Sequence, residues 1–396
     1  MFMTDKKNLL YGIYGFSLAA CLSTAGVNIF LSVCFIALII GWGKNKTYYT
    51  LLIRSPEKRI LKTIEVFMFA LLLSVVFSLE PVVSFKEFWS VYISRMLPFF
   101  FILAISNYVS KKEMGWIAVC INLSLTITSI YAIWQFWHGI LRPNGFMANY
   151  MYLGSLYACL LPFGLISVIE RTIILEKHLW NLNVLCYSIN FAGMLANNTR
   201  GTWVAVALVS SLILICYTWT KRSVKYLTFL LVMILISGGI IGNNKMFMKR
   251  IESIPSTTVS SNHERLLLWQ SSINMAKDYP LFGVGVGEFA KQYQTKYILP
   301  VAKEKDLEHA HNMFFHLLAE GGIIGMLGYL FLFGALIIGN FKSYIGNKNY
   351  TYLLACAVST SVFIHGCTEF NVVVYKIFWL IIGWCIVMRT AERKYE

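Results

Sequence analysis

The residues able to do chemistry in this chain are few, and they sit in short strings. HAHNMFFHLLAEGGIIG, residues 309–325, places His311 and Asn312 directly before an apolar run that reads as a helix. At a helix N-terminus the peptide dipoles put partial positive charge beside the ring, which disfavours an imidazolium and suits a general base. RPNG at 142–145, NNTRG at 197–201 and HGCTEF at 365–370 each join a polar or charged residue to turn formers. Taken one by one these are ordinary turns, with arginines reaching for lipid headgroups. What asks for a reason is Arg142 and Arg200 in short loops of otherwise sparing charge. A fourth string, NHERLLLWQSSINMAKDYPLFGVGVGEF at 262–289, reads as a helix from Glu264 to Lys277, capped by Asn262 and ended by Asp278-Tyr279-Pro280, with Arg265 in its first turn.

Two other kinds of site are tested by spacing. His263, His309, His311, His316 and Glu308 are near one another in sequence, but neither HExxH nor another ligand spacing is present, so no metal is expected. His309 and His311, two apart, would point to different sides of a helix. Gly283, Gly285 and Gly287 imitate a nucleotide fingerprint without its spacing or its preceding strand, and read as a tight turn. All nine cysteines fall within apolar stretches or at their edges, and no CxxC pair occurs, so neither a disulfide framework nor a structural metal is expected.

The elements that must position these residues are membrane helices. Hydrophobic residues make up 57% of the 396, charged residues only 13%, and the mean hydropathy is +0.63. Spans of the ~20 residues that cross a hydrocarbon core are read near 9–24, 26–43, 61–79, 88–109, 115–137, 150–169, 180–197, 202–219, 226–242, 312–340, 350–366 and 373–389. The expected fold is all-α and polytopic, about twelve transmembrane helices with one large outer loop containing short helices. It divides into helices 1–9 in 1–242, the loop in 243–310, and helices 10–12 with a cytoplasmic C-terminus in 311–396. A further amphipathic helix, roughly 287–298 with Phe289, Tyr293 and Tyr297 on one side, is expected to lie against the membrane surface. Gly321, Gly322, Gly325 and Gly328 read as a smooth face for close helix packing.

Charge orients the chain. Lys6, Lys7, Lys44, Lys46, Arg54, Lys58, Arg59, Lys62, Lys111, Lys112, Arg171, Lys177, Lys221, Arg222, Lys225, Lys342, Lys348, Arg389, Arg393 and Lys394 fall on one face, and the short loops of the other keep only Lys86, Arg95, Arg142, Arg200 and Lys376. The basic face is therefore the cytoplasmic one, with both termini inside and the long loop outside. The net charge of +15 is mostly this bias and not a nucleic-acid patch. Leu18-Ala19-Ala20-Cys21 imitates a lipoprotein cleavage site, but with eleven further spans the first is expected to stay as a signal anchor.

His311-Asn312, nine residues, then Gly322-Ile323-Ile324-Gly325 resembles the histidine motif of bacterial O-antigen ligases. Arg265-Leu-Leu-Leu-Trp269 followed by Pro280-Leu-Phe-Gly283-Val-Gly285 is similar to the loop signature of the wider ligase and polymerase superfamily, and Asn198-Thr199-Arg200-Gly201 to its short arginine motif. The resemblance implies an inner-membrane enzyme that moves O-antigen from an undecaprenyl diphosphate carrier to lipid A-core, inverting the anomeric centre without metal, nucleotide or other cofactor. It makes His311 the base for the acceptor hydroxyl and Arg200 and Arg265 the clamp on the departing diphosphate. Arg142 and Arg95, the latter two turns into the fourth span, would hold the second phosphate or lipid A phosphates, beside Asn312; Glu308, Glu369 and His309 receive no role. The superfamily also contains O-antigen polymerases and protein O-oligosaccharyltransferases. A transporter, the alternative of another class, would place ionisable groups near the midplane and interrupted helices in matching halves, whereas most of these span interiors are uncharged.

Overall fold

The computed structural model describes residues 2–44, 58–253 and 260–393; Lys46, Arg54 and Lys394, counted above on the basic face, lie outside the described residues. Helix dominates, and among the described residues there is no strand. A helix covers each apolar stretch: α1 (Phe2–Ala19), α2 (Thr24–Lys44), α3 (Lys58–Val76), α4 (Pro81–Ala104), α5 (Lys111–Trp137), α6 (Tyr150–Ile169), α7 (Lys177–Asn197), α8 (Arg200–Lys221), α9 (Lys225–Gly242), then α10 (Lys245–Glu252), α11 (Ser260–Asp278) and α12 (Phe289–Gln292, continued by a π turn over Tyr293–Tyr297), and finally α13 (Met313–Asn347), α14 (Tyr350–Gly366) and α15 (Tyr375–Arg393). Among the described residues six of these are long and apolar enough to cross a membrane, seven if α9 and α10, bent by 108° at their junction, are one broken span.

The helix starts are written in side chains. Ser110 and Glu113 form a reciprocal capping box on α5, with Ser110 N–H donating to Glu113 Oε2 at 2.7 Å. Asn149, Asn244, Asn312 and Asn349 each turn a side-chain oxygen onto the open N–H groups of the helix that follows. Packing follows sequence neighbours only in part: α1 pairs with α2 and α5 with α7, while α4 packs on α15, α3 on α13, and α14 on both α6 and α8. Outward faces stay apolar, as with Ile29, Phe35, Ile36 and Ile39 on α2 and Ile234, Leu235 and Ile236 on α9, which suits a hydrocarbon surround.

The two ends of the bundle differ. At one, basic residues of different loops pair with carboxylates: Lys112 with Glu176 at 2.6 Å, Lys221 with Glu170 at 3.3 Å and Lys111 with Glu392 at 3.2 Å. The alternation of helix direction brings the loops bearing Arg142, Arg200 and Glu369, together with the 243–310 segment, to the opposite end.

That segment is folded onto the bundle through a break in α13. Gly322 has φ +60° and ψ −164°, so the ladder of α13 opens around it. The PLFGVG stretch fills the gap: Ile323 and Ile324 N–H donate to the carbonyls of Pro280 and Leu281 (2.9 and 3.2 Å), and Val284 and Gly285 N–H donate to Ala319 and Glu320 (2.9 and 3.1 Å). A Cβ at 322 would stand 2.4 Å from the Leu281 carbonyl, so only glycine fits both the dihedral and the approach. This corrects the reading of all these glycines as a packing face. Gly325 and Gly328 do face Leu71, Ala70 and Phe67 of α3, but Gly322 is where the helix is cut.

Two further expectations change. Asn262 lies inside α11 and does not cap it, because the helix reaches back to Ser260. The aromatic face of α12 does not lie on a membrane surface: Phe289, Tyr293 and Tyr297 are buried with Leu268, Met275, Val284, Ala310 and Ala319 in a separate small core. An apolar stripe of this spacing is satisfied equally by lipid or by a neighbouring helix, and here α11 and α13 supply the partner.

Candidate active site

A cavity of about 210 Å³ opens where four parts of the chain meet, and Arg142, Arg200, Arg250, Arg265, His311 and Glu369 line it. The turns bearing these residues are tied to one another. Asn197 Nδ2 donates to the Pro143 and Tyr150 carbonyls at 2.8 and 3.0 Å, and Asn198, in a left-handed C-cap, donates to the Leu141 carbonyl at 3.3 Å. The RPNG and NNTRG strings are therefore one unit. HGCTEF joins it through Gly201: a Cβ there would stand 2.2 Å from Thr368 Oγ1.

Each guanidinium is held by different partners. Arg142 Nη1 donates to Tyr150 Oη at 2.7 Å, with the guanidinium 4.9 Å from that ring's centroid. Arg200, first residue of α8, sends Nη1 to the Ser253 carbonyl at 2.6 Å and Nη2 to Asn262 Oδ1 at 2.8 Å, so it ties the end of α10 to the first turn of α11. Arg250 reaches the Asn198 carbonyl through Nε and Nη2, both at 3.4 Å. Arg265, one turn and a half into α11, donates through Nη2 to Glu369 Oε1 at 2.5 Å. Glu264 and Glu304 also line the cavity, but the Glu264 carboxylate is turned onto the N–H groups of Lys303 and Glu304 at 3.2–3.3 Å.

Glu369 is the hinge of the arrangement. It is 4% exposed, and its second oxygen lies 3.2 Å from His311 Nδ1. Burial works to raise this carboxyl, but the His311 hydrogen bond and the Arg265 charge outweigh it and hold it below the usual carboxylate range. A carboxylate can only accept, so Nδ1 is the donor in this pair, and in the neutral ring the lone pair belongs to Nε2. His311 itself sits at φ +48°, a left-handed conformation that costs a non-glycine residue ~1–3 kcal/mol and is held by what surrounds it. Part of that hold is Asn312, whose Oδ1 accepts from Phe314 and Phe315 N–H at 2.9 and 3.2 Å while Nδ2 donates to the Cys367 carbonyl at 2.7 Å.

Of the residues expected at a site, His311, Arg265, Arg200 and Arg142 meet in this cavity. Asn312 does not line it; its amide caps α13 and ties that helix to the HGCTEF turn. Arg95 is elsewhere, on α4 in the electrostatic company of Tyr92, Tyr152 and Tyr375. His309 and His311 are not on a helix, and their rings lie 4.3 Å apart, edge to face. Burial, and after it the neighbouring rings of His311 and His316, push His309 down to about 3, so it is a neutral ring at physiological pH. No group of three His, Cys, Asp or Glu able to hold a metal ion is found among the described residues. Two members were missed from sequence. Arg250 is one basic residue among several in a long loop, with no motif to mark it. Glu369 stood in a marked string, but its partners lie 58 and 104 residues away.

A buried acid orienting an imidazole, beside four guanidiniums, is equipped to deprotonate a hydroxyl and receive a phosphate leaving group. Residues 185–330, which carry Arg200, Arg250, Arg265, His311 and Gly322, match the family model of O-antigen ligase. That segment is similar to the O-antigen ligase family, over somewhat more than a third of the chain. The similarity implies a membrane glycosyl-transfer enzyme of the ligase and polymerase kind, with polysaccharide or lipid-linked substrates. Arg142 and Glu369 fall outside the matched segment, so their place at this cavity rests on geometry alone. No curated protein matches the chain.

Proposed function

We propose that this chain is an O-antigen ligase, transferring polysaccharide from undecaprenyl diphosphate to lipid A-core at the periplasmic face of a bacterial inner membrane. In this reading the chain crosses the membrane twelve times, the basic ends and both termini are cytoplasmic, and the long loop with the arginine-lined cavity is outside. His311 Nε2 takes the proton of a core-sugar hydroxyl as its oxygen attacks the anomeric carbon of the donor. The bond from that carbon to the diphosphate oxygen breaks, the centre inverts, and the electron pair leaves on undecaprenyl diphosphate. Arg200 and Arg265, with Arg142 and Arg250 beside them, take up the developing charge. A diphosphate leaves readily without a proton, so the chemistry needs no general acid. Glu369 holds the His311 tautomer and stabilises the imidazolium as it forms, the part an acid plays behind any catalytic imidazole.

The observation that carries the reading is the joint placement of the His311–Glu369 pair and four guanidiniums around one cavity, in a chain similar over 185–330 to the O-antigen ligase family. The test is reconstitution with purified carrier-linked glycan and lipid A-core. Appearance of polymer on the core, with release of undecaprenyl diphosphate and no effect of EDTA, is expected. Growth of the carrier-linked glycan with none on lipid A-core would make the protein a polymerase, and transfer to a protein hydroxyl would make it an oligosaccharyltransferase.

A further inference from the structure

A second cavity, of about 290 Å³, lies beside the first, and Glu87, Glu308, Glu320, Tyr92, His316 and Phe370 are among the residues that line it. The two share a partition. Phe370 follows Glu369 in sequence and stacks on His309 at 5.1 Å, and the His309 ring in turn meets His311. Residues 308–311 and 369–370 thus give one side chain to each cavity in turn: His311 and Glu369 to the first, Glu308 and Phe370 to the second.

The linings differ in their cations. The first gathers guanidiniums; the second has three carboxylates and, among the described residues, no Lys or Arg. An anionic phosphate is repelled from such a site, whereas sugar hydroxyls are donors that carboxylates accept. The aromatic rings of Phe370 and Tyr92 offer apolar faces for the C–H side of a sugar ring. One buried group is left open. His316 is 3% exposed and lines this cavity; Nε2 is held by Glu320 Oε2 at 3.2 Å, but Nδ1 has no partner. Glu320 is fixed in turn, its Oε1 accepting from Phe289 N–H at 3.1 Å. An unmet polar atom in a buried, rigidly held ring is costly unless a ligand completes it.

Building on the function proposed above, we infer that this second cavity is a saccharide subsite that binds an uncharged sugar unit of the acceptor glycan. Charge separates the substrates: the diphosphate of the donor goes to the guanidinium side, and the hydroxyl-rich acceptor approaches His311 from the carboxylate side.

The test is binding of a phosphate-free core oligosaccharide to the purified full-length protein by saturation-transfer NMR, compared with binding of undecaprenyl diphosphate. Ala290→Trp fills the cavity from α12, and Glu308→Gln removes one exposed acceptor. Neither residue belongs to the reacting groups. The expected result is oligosaccharide binding by the wild type that weakens about tenfold or more in Ala290→Trp and about fivefold in Glu308→Gln, with undecaprenyl diphosphate binding unchanged. Oligosaccharide affinity unaltered in both variants, or no detectable binding to the wild type, overturns the subsite. A donor glycan fragment that competes better than the core fragment overturns its assignment to the acceptor. Failure of transfer in reconstitution, with saccharide binding intact and cavity-dependent, would instead strike at the ligase reading and leave the subsite standing.

Discussion

Replacing Glu369 by glutamine changes one oxygen for an amide and leaves shape nearly untouched. The carboxylate accepts from Arg265 at 2.5 Å and faces His311 Nδ1 at 3.2 Å. Both are hydrogen bonds to a charged group, each worth ~1.5–3 kcal/mol. Arg265 opens onto a cavity and keeps some solvent, so the loss in stability is placed nearer ~1–3 kcal/mol than the larger cost of stranding a fully buried charge. The catalytic loss is set by the tautomer. A glutamine NH2 can donate to Nδ1, which moves the ring proton to Nε2 and removes the lone pair that takes the acceptor proton. A general base contributes ~10²–10⁴-fold, so kcat falls by about that factor. Donor binding does not fall with it, because the cavity becomes one charge more positive; undecaprenyl diphosphate binds as well or tighter. The assay is steady-state transfer at saturating donor, with donor affinity measured separately. A kcat within about threefold of wild type, or a loss appearing chiefly in donor affinity, refutes the reasoning.

His311→Ala retains its fold and loses transfer by about 10²-fold or more, read in the same assay. Arg200→Lys and Arg265→Lys each lose about tenfold or more in kcat/KM, since a point charge replaces a fork; wild-type rates in both would place the diphosphate elsewhere. Gly322→Ala forces a side chain onto the Leu281 carbonyl at a positive φ, and is expected to lower Tm and expose the 280–285 stretch to protease. Glu369 is held below the ordinary carboxylate range, so its contribution is complete above its unfolded pKa and disappears as pH falls through the lower folded value. Tm measured against pH should therefore hold through pH 5 and fall at more acid pH by a step that Glu369→Gln lacks.

The helices were legible because apolar runs are a local signal, whereas the box at Ser110 was not read and the one cap expected, at Asn262, lies inside its helix. The strings RPNG, NNTRG and HGCTEF were legible as unusual, but not as one latch, since Asn197 bonds across 54 residues to Pro143. The direction of the α12 aromatic face was hidden because spacing specifies a stripe and not its partner. The break at Gly322 was hidden for a related reason. Glycines in an apolar run permit either close packing or a cut, and only the PLFGVG carbonyls and N–H groups, some 40 residues earlier, decide between them. Arg95 was placed by its outer address on the fourth span and Asn312 by its neighbour His311; neither lines the cavity, and Asn312 is occupied with a cap.

The most direct measurement is a cryo-EM structure with an undecaprenyl diphosphate sugar bound. The account predicts diphosphate oxygens within about 3 Å of the Arg200 and Arg265 guanidiniums and the anomeric carbon turned toward His311 Nε2. A diphosphate seated away from both arginines, or an anomeric carbon on the far side of the His309–Phe370 partition from His311, contradicts it.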